Sequence, residues 1–188
     1  MRCSWVNLKN PEYIEYHDKE WGVPLKNDGK LYELFLLECF QAGLSWECIL
    51  NKREAFRRAF DGFDIDKVTH YGEEKISVLM LDSSIIRHRK KIEAAISNSR
   101  IFRDIQIQFG SFDRYLRSFA GDKVIFEPCD GHNRSPLSDA IAADLKKRGM
   151  RFAGSITIYS FLQAAGIINA HEKNCYLFSN TKESNHHV

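Results

Sequence analysis

Nearly every apolar run in this chain repeats at helical spacing, and only Lys123-Val124-Ile125-Phe126 alternates in the manner of a strand. A chain so patterned must build its core between helices, because its long apolar segments lack the period of two. Start and stop signals divide the pattern. Pro11 opens PEYIEYHDKEW, Asp28 is placed to cap a helix from Lys30 to Gln41 with Gly43 as its stop, and Ser45 precedes WECILNKREAFRRAF. Short helices are expected after Asp64 and Gly72, a long one from Ile86 to Phe109 behind Ser83-Ser84, and another after Ser111. The segment from Ala120 to Asn133 reads as a loop. Ser135-Pro136 is a good N-cap and N1 pair for LSDAIAADLKKR, Gly149 stops that helix, and SITIYSFLQAA follows Gly154. A last short helix is expected to carry His171 to Cys175. The expectation is one all-α domain over residues 1–178, followed by a polar tail over 179–188.

The 44% hydrophobic and 28% charged fractions are those of an ordinary globular protein. No apolar stretch reaches membrane-spanning length, and MRCSWVNLKN lacks the hydrophobic region of a signal peptide. A cytoplasmic location and no membrane partner are the expectation. Net charge +2 is too mild to announce a nucleic-acid partner by itself, although basic clusters occur around Arg87–Lys91, Lys146–Arg151 and Lys52–Arg58. Five cysteines form an odd set in a chain with no need of disulfides. Cys39, Cys48 and Cys129 look ordinary; Cys3 and Cys175 each have a histidine in a suggestive place.

The stretch LFLLECFQAGLSW raises a chemical question. On a helix, Lys30, Glu33 and Gln41 cluster on a polar side, whereas Glu38 falls between Leu31 and Leu34 with Phe35 close by. A carboxylate there must be paired, protonated, kept for a ligand, or snorkelling to water from the edge of the apolar arc. Large aromatics surround it in sequence: Trp5, Tyr13, Tyr16 and Trp21 before it, Trp46 after it. Tyr13, Tyr16 and His17 stand at i, i+3 and i+4, so the two tyrosines share a helix face. Rings plus one buried acid suit a flat cationic ligand, such as an alkylated purine flipped from DNA; the alternative is that most of these rings are core.

Two further constellations carry chemistry. His171 and Cys175 have the i, i+4 spacing of a shared ligand face, and Cys3 with His17 would complete a Cys2His2 set suited to zinc. Such a site would join the N- and C-terminal regions and act structurally, having no open coordination position; incidental residues are the competing reading. LKKRGMRFAGSITIYSFLQAAG has the form helix, glycine-containing hairpin, helix, with Lys146, Lys147, Arg148 and Arg151 before Gly154. Free N–H groups and basic side chains there could grip one DNA strand by its phosphates; a plain helical hairpin fits the pattern equally.

The stretches CSWV, PEYIEYHDKEWGVP, FQAGLSW, IIRHRKKIEAAISNSR, LKKRGMRFAGSITIYSFLQAAG and INAHEKNC, in that order, resemble the bacterial 3-methyladenine DNA glycosylase I family. The resemblance implies a helix-hairpin-helix glycosylase that removes 3-methyladenine from alkylated double-stranded DNA, working as a monomer. It implies one structural zinc held by Cys3, His17, His171 and Cys175. Glu38 matches the family carboxylate that receives the extruded base and is the expected catalytic residue. Tyr16 and Trp46 match pocket aromatics, with Tyr13, Trp21 and Trp5 at the wall, and Lys146, Arg148, Arg151 and Gly154 fall in the DNA anchor. Ala170 stands where some members carry an Asp, so no catalytic Asp is assigned, and no motif lysine supports strand-cleaving lyase activity. A non-enzymatic binder of damaged DNA, or a glycosylase redirected to another lesion through Cys39-Phe40 and Ala170, are the alternative readings.

Overall fold

A computed structural model describes residues 1–127 and 131–178; Cys129 and the polar tail lie outside the described residues. Helix α1 (Pro11–Lys19) begins behind Asn10, whose side chain accepts from the Glu12 and Tyr13 N–H groups. Helix α2 (Asp28–Gln41) is the centre of the fold and packs against helices on several sides. Every residue from Leu34 to Phe40 on it is buried, so this stretch is enclosed on all sides, and all but Glu38 is apolar. Its cap is Asn27, not Asp28. The Asp28 carboxylate instead accepts from the Phe112 and Asp113 N–H groups at 2.8 and 3.2 Å, tying a later helix to the start of α2.

Ser45 caps α3 (Trp46–Leu50), but the single helix expected there breaks at Asn51-Lys52, and α4 (Arg53–Ala59) restarts without a side-chain cap. A 3-10 turn over Asp61–Phe63 leads to α5 (Ile65–Thr69), capped by Asp64, and to α6 (Glu73–Leu81). The long helix α7 (Arg89–Phe109) starts behind His88 and not behind Ser83-Ser84. Ser111 caps α8 (Phe112–Ala120) as expected. Phe102 and Phe112 stack 3.9 Å apart, and Phe35 and Phe161 close the group from α2 and a later helix.

The chain is mostly helical, but not purely so. The alternating segment supplies β1 (Ile125–Phe126), which pairs in parallel with β2 (Ile168–Asn169). Ile125 donates to the Ile167 carbonyl at 2.9 Å and Glu127 to the Asn169 carbonyl at 3.1 Å. Between the strands lie α9 (Pro136–Lys147) and α10 (Ser155–Ala164), packed as a helical hairpin. α9 opens on Ser135 and Pro136 with a reciprocal Ser135–Ser138 capping box. The expected helix from His171 to Cys175 is absent: those residues form a turn, and helix begins only at Tyr176.

Candidate active site and metal-ligand cluster

The aromatic residues singled out in the sequence converge. α1 carries Tyr13 and Tyr16, the turns around it carry Trp5 and Trp21, and α3 carries Trp46. Tyr16 and Trp46 lie 5.2 Å apart between ring centroids, and Trp5 contacts both Tyr13 (5.4 Å) and Trp21 (4.8 Å). Together with Glu38 they line a cleft of about 220 Å³. Glu38 is 3% exposed, which excludes the snorkelling geometry. Its Oε2 has no hydrogen-bond partner among the described residues, and burial pushes its carboxyl up to about 8. Burial, with the Glu38 charge adding to it, also raises the Tyr16 phenol well above its ordinary value. The Trp46 Nε1–H is likewise buried and unpartnered. The cleft therefore carries one acceptor and one donor without a protein partner among the described residues.

Beside the cleft, Cys3, His17, His171 and Cys175 are all buried, with their ligand atoms within 4.8 Å of one another. This cluster could hold a metal ion. Cys175 Sγ lies 3.5 Å from His17 Nε2 and 3.6 Å from His171 Nδ1, and Cys3 Sγ lies 3.5 Å from His171 Nδ1. The other nitrogen of His17 pairs with Asp18 at 2.8 Å, and Arg2 clamps both oxygens of Asp18. The Arg2 guanidinium holds the Asp18 carboxyl well below the usual carboxylate range. Burial pushes the Cys3 thiol up to about 12, a proton that a bound cation would displace. A Cβ on Gly22, whose φ is +77°, would come 3.0 Å from His171 Nε2, so the bare glycine makes room for the imidazole.

The basic hairpin is split in two. Gly149 ends α9 at φ +99°, and Gly154 caps α10 without a side-chain hydrogen bond. Lys146, Arg151 and Gly154 are exposed around that turn. Arg148 is held elsewhere: it pairs with Asp144 at 2.6 Å and Gln108 at 2.8 Å, and lies over the Phe109 and Tyr115 rings. The structure thus brings three of the four expected anchor residues to one turn.

The family model of methyladenine glycosylases matches residues 5–179. DNA-3-methyladenine glycosylase 1 of Escherichia coli (strain K12) is 40% identical over 185 residues, 96% of this chain and 98% of that protein. The chain belongs to the methyladenine glycosylase family. A crystal structure of 3-methyladenine DNA glycosylase I superposes on this family member with TM-score 0.89 at 41% identity, covering 94% of this chain and 98% of that one. A Y16F form of 3-methyladenine DNA glycosylase I in complex with 3-methyladenine superposes with TM-score 0.88 at 36% identity, covering 93% and 96%.

Sequence reasoning missed part of this glycosylase's cleft. Ser160 and Gln163, three apart on α10, line it together with Gln41 and His132. Their spacing puts Ser160 and Gln163 on one face, but nothing in the sequence aims that face at α2. Ala170, noted for its lack of a carboxylate, does line the cleft.

Proposed function

We propose that this chain hydrolyses the N-glycosidic bond of 3-methyladenine in alkylated duplex DNA, without cutting the strand. The observation that carries the reading is the Glu38 carboxyl, buried in an aromatic cleft with Oε2 unpaired. Methylation at N3 makes the adenine cationic and weakens its bond to the sugar, and the base departs neutral, so no general acid is required. The chain's task is to extrude the nucleotide, recognise the base and admit water. Glu38 is the acceptor for the exocyclic N–H groups of the base and gains its ionised form as the cation docks. Tyr16 and Trp46 contact the faces of the base, and Trp5, Tyr13 and Trp21 close the wall. Among the described residues no lysine lines the cleft, which supports hydrolysis without Schiff-base chemistry.

The α9–α10 pair is read as a helix-hairpin-helix anchor, with Lys146, Arg151 and the uncapped N–H groups behind Gly154 on the phosphates. The ligand cluster is read as a zinc site. A tetrahedron with Zn–S of about 2.3 Å and Zn–N of about 2.0 Å has S···N edges of roughly 3.5 Å. The three S···N separations of 3.5, 3.5 and 3.6 Å fit it. All four ligands are protein side chains, so the ion serves structure, and one chain supplies cleft, anchor and cluster.

The test is release of free 3-methyladenine from methylated duplex DNA, followed chromatographically. Release at a rate proportional to protein is expected. Tight retention on the DNA with no free base would overturn the enzymatic reading in favour of a damage binder. A panel of lesions in the same assay reads the influence of Cys39-Phe40 and Ala170 on specificity.

A further inference from the structure

The segment RHRKKIEAAISNSR is not absorbed by the cleft, the ligand cluster or the turn at Gly154, yet three of its side chains, Lys91, Asn98 and Ser99, are buried and polar, and the first two bond backbone groups outside α7. Lys91 is 8% exposed and Asn98 is fully buried. Lys91 Nζ donates to the Phe40 carbonyl at 2.8 Å and to the Ala42 carbonyl at 2.6 Å. These carbonyls belong to the C-terminal end of α2, where no further helical N–H follows to satisfy them. The ammonium therefore serves as the cap of α2 and complements the negative end of its dipole. It acts two residues from Glu38 on one side and directly before Gly43 on the other.

Two turns along the same helix, Asn98 holds the hairpin. Its Oδ1 accepts from the Arg151 N–H at 2.9 Å and its Nδ2 donates to the Arg151 carbonyl at 2.8 Å. Ser97 Oγ accepts from the Arg151 guanidinium at 3.3 Å. Phe152, in the left-handed region at φ +56°, places its ring 6.0 Å from Lys91 Nζ and 6.3 Å from the His88 ring. One face of α7 thus clasps the end of the base-receiving helix and the turn that precedes Gly154. Asn98 Nδ2 also lies 3.8 Å from Cys39 Sγ, so the side chain that holds the Arg151 backbone touches α2 as well.

We propose that Lys91 and Asn98 are positioning residues that fix the separation between the base cleft and the DNA-gripping hairpin. The proposal rests on the glycosylase reading above. A nucleotide must leave the duplex while the strand stays held, so the cleft and the grip have to be kept in register. Burying an ammonium costs stability, and burial lowers the Lys91 pKa. A hydrophobic side chain would pack the same space without that cost but could not hold two carbonyls.

The test separates positioning from mere folding. Lys91→Met, Lys91→Arg and Asn98→Ala are compared with the parent for affinity toward free 3-methyladenine, affinity toward duplex DNA, and single-turnover release of base from methylated duplex. For Lys91→Met and Asn98→Ala, free-base affinity should stay within about threefold while single-turnover release falls roughly tenfold to a hundredfold, the range a misplacement near 1 Å costs. Lys91→Arg, which keeps the donors, should recover part of the lost rate. If Lys91→Met does not fold, the same split is read from Lys91→Arg against Asn98→Ala. Release that falls only in proportion to free-base affinity, or does not fall, overturns the proposal. Parent protein that releases no base overturns the glycosylase reading and the proposal with it, an outcome told apart because it appears without any substitution.

Discussion

The indole of Trp21 meets the imidazole of His171 edge-on, with ring centroids 4.6 Å apart and planes at 90°. One side chain therefore belongs both to the cleft wall and to the surroundings of the ligand cluster. Trp5 repeats the relationship with His17 at 5.3 Å. Whatever fixes the two imidazoles also fixes two rings of the cleft wall.

Metal removal should accordingly be felt in the cleft. Chelation, or Cys175→Ser, is expected to lower the melting temperature by roughly 10 °C or more, since a domain of this size shifts by about 2–4 °C per kcal/mol. Free-base affinity and tryptophan fluorescence should change in parallel. Scanning fluorimetry with metal analysis checks this, and protein of undiminished stability after metal loss would count against the cluster's structural role.

Glu38 gives a pH signature. Its folded value of about 8 lies above its ordinary value of 4.5, so the folded state holds the proton longer than the unfolded chain does. Its contribution to stability is full below pH 4.5 and is lost as pH rises to about 8. Glu38→Gln should remove that slope and gain about 1–3 kcal/mol near pH 8, because no charge is then buried. If the ionised carboxylate receives the base, kcat/KM for release rises with pH through a midpoint near pH 8 and levels off above it, and the Gln variant releases base far more slowly at every pH.

The turn before α10 can be tested without damaging the fold. A Cβ on Gly154 meets nothing within 4 Å, and its φ of −72° suits any residue. Gly154→Thr should leave stability within about 0.5 kcal/mol, because Thr and Gly are comparable N-caps. Duplex affinity should fall roughly tenfold as the backbone is kept from the phosphates. Lys146→Ala and Arg151→Ala should each reduce the salt slope of duplex binding by about one unit. Filter binding across a salt series reads both effects.

Gly166 is the opposite case. Its φ is +67°, and a Cβ would lie 2.4 Å from the Val23 carbonyl carbon, which is backbone and cannot rotate away. Gly166→Ala should cost about 3–5 kcal/mol or prevent accumulation of soluble protein. Denaturant unfolding measures it.

Much of this arrangement was legible in local chemistry. Ser45, Asp64, Ser111 and Ser135 stand at helix starts, as read from the sequence, because a capping side chain acts within three residues of itself. Glu38 stood out because one carboxylate interrupts an apolar run. What stayed hidden depends on distant partners. Asp28 has the look of a local cap but serves the Phe112 and Asp113 N–H groups, and the sequence around it carries no trace of α8. Lys91 and Asn98 look like surface residues of a basic helix until α2 and the hairpin are laid against them. The segment holding β1 showed its alternation, but β2, two residues long, carries too little pattern to mark it as the parallel partner. His171 and Cys175 were paired on helical spacing, although a turn brings them together.

Cys3 and His171, neighbours in the ligand cluster, stand 168 positions apart in the chain. During synthesis Cys3 and His17 therefore precede His171 and Cys175 by more than 150 residues. A ribosome that stalls before His171 releases a product that lacks two of the four cluster side chains and the imidazole against which Trp21 packs. Capture of an ion by all four side chains would thus be confined to chains that have been carried through to Cys175.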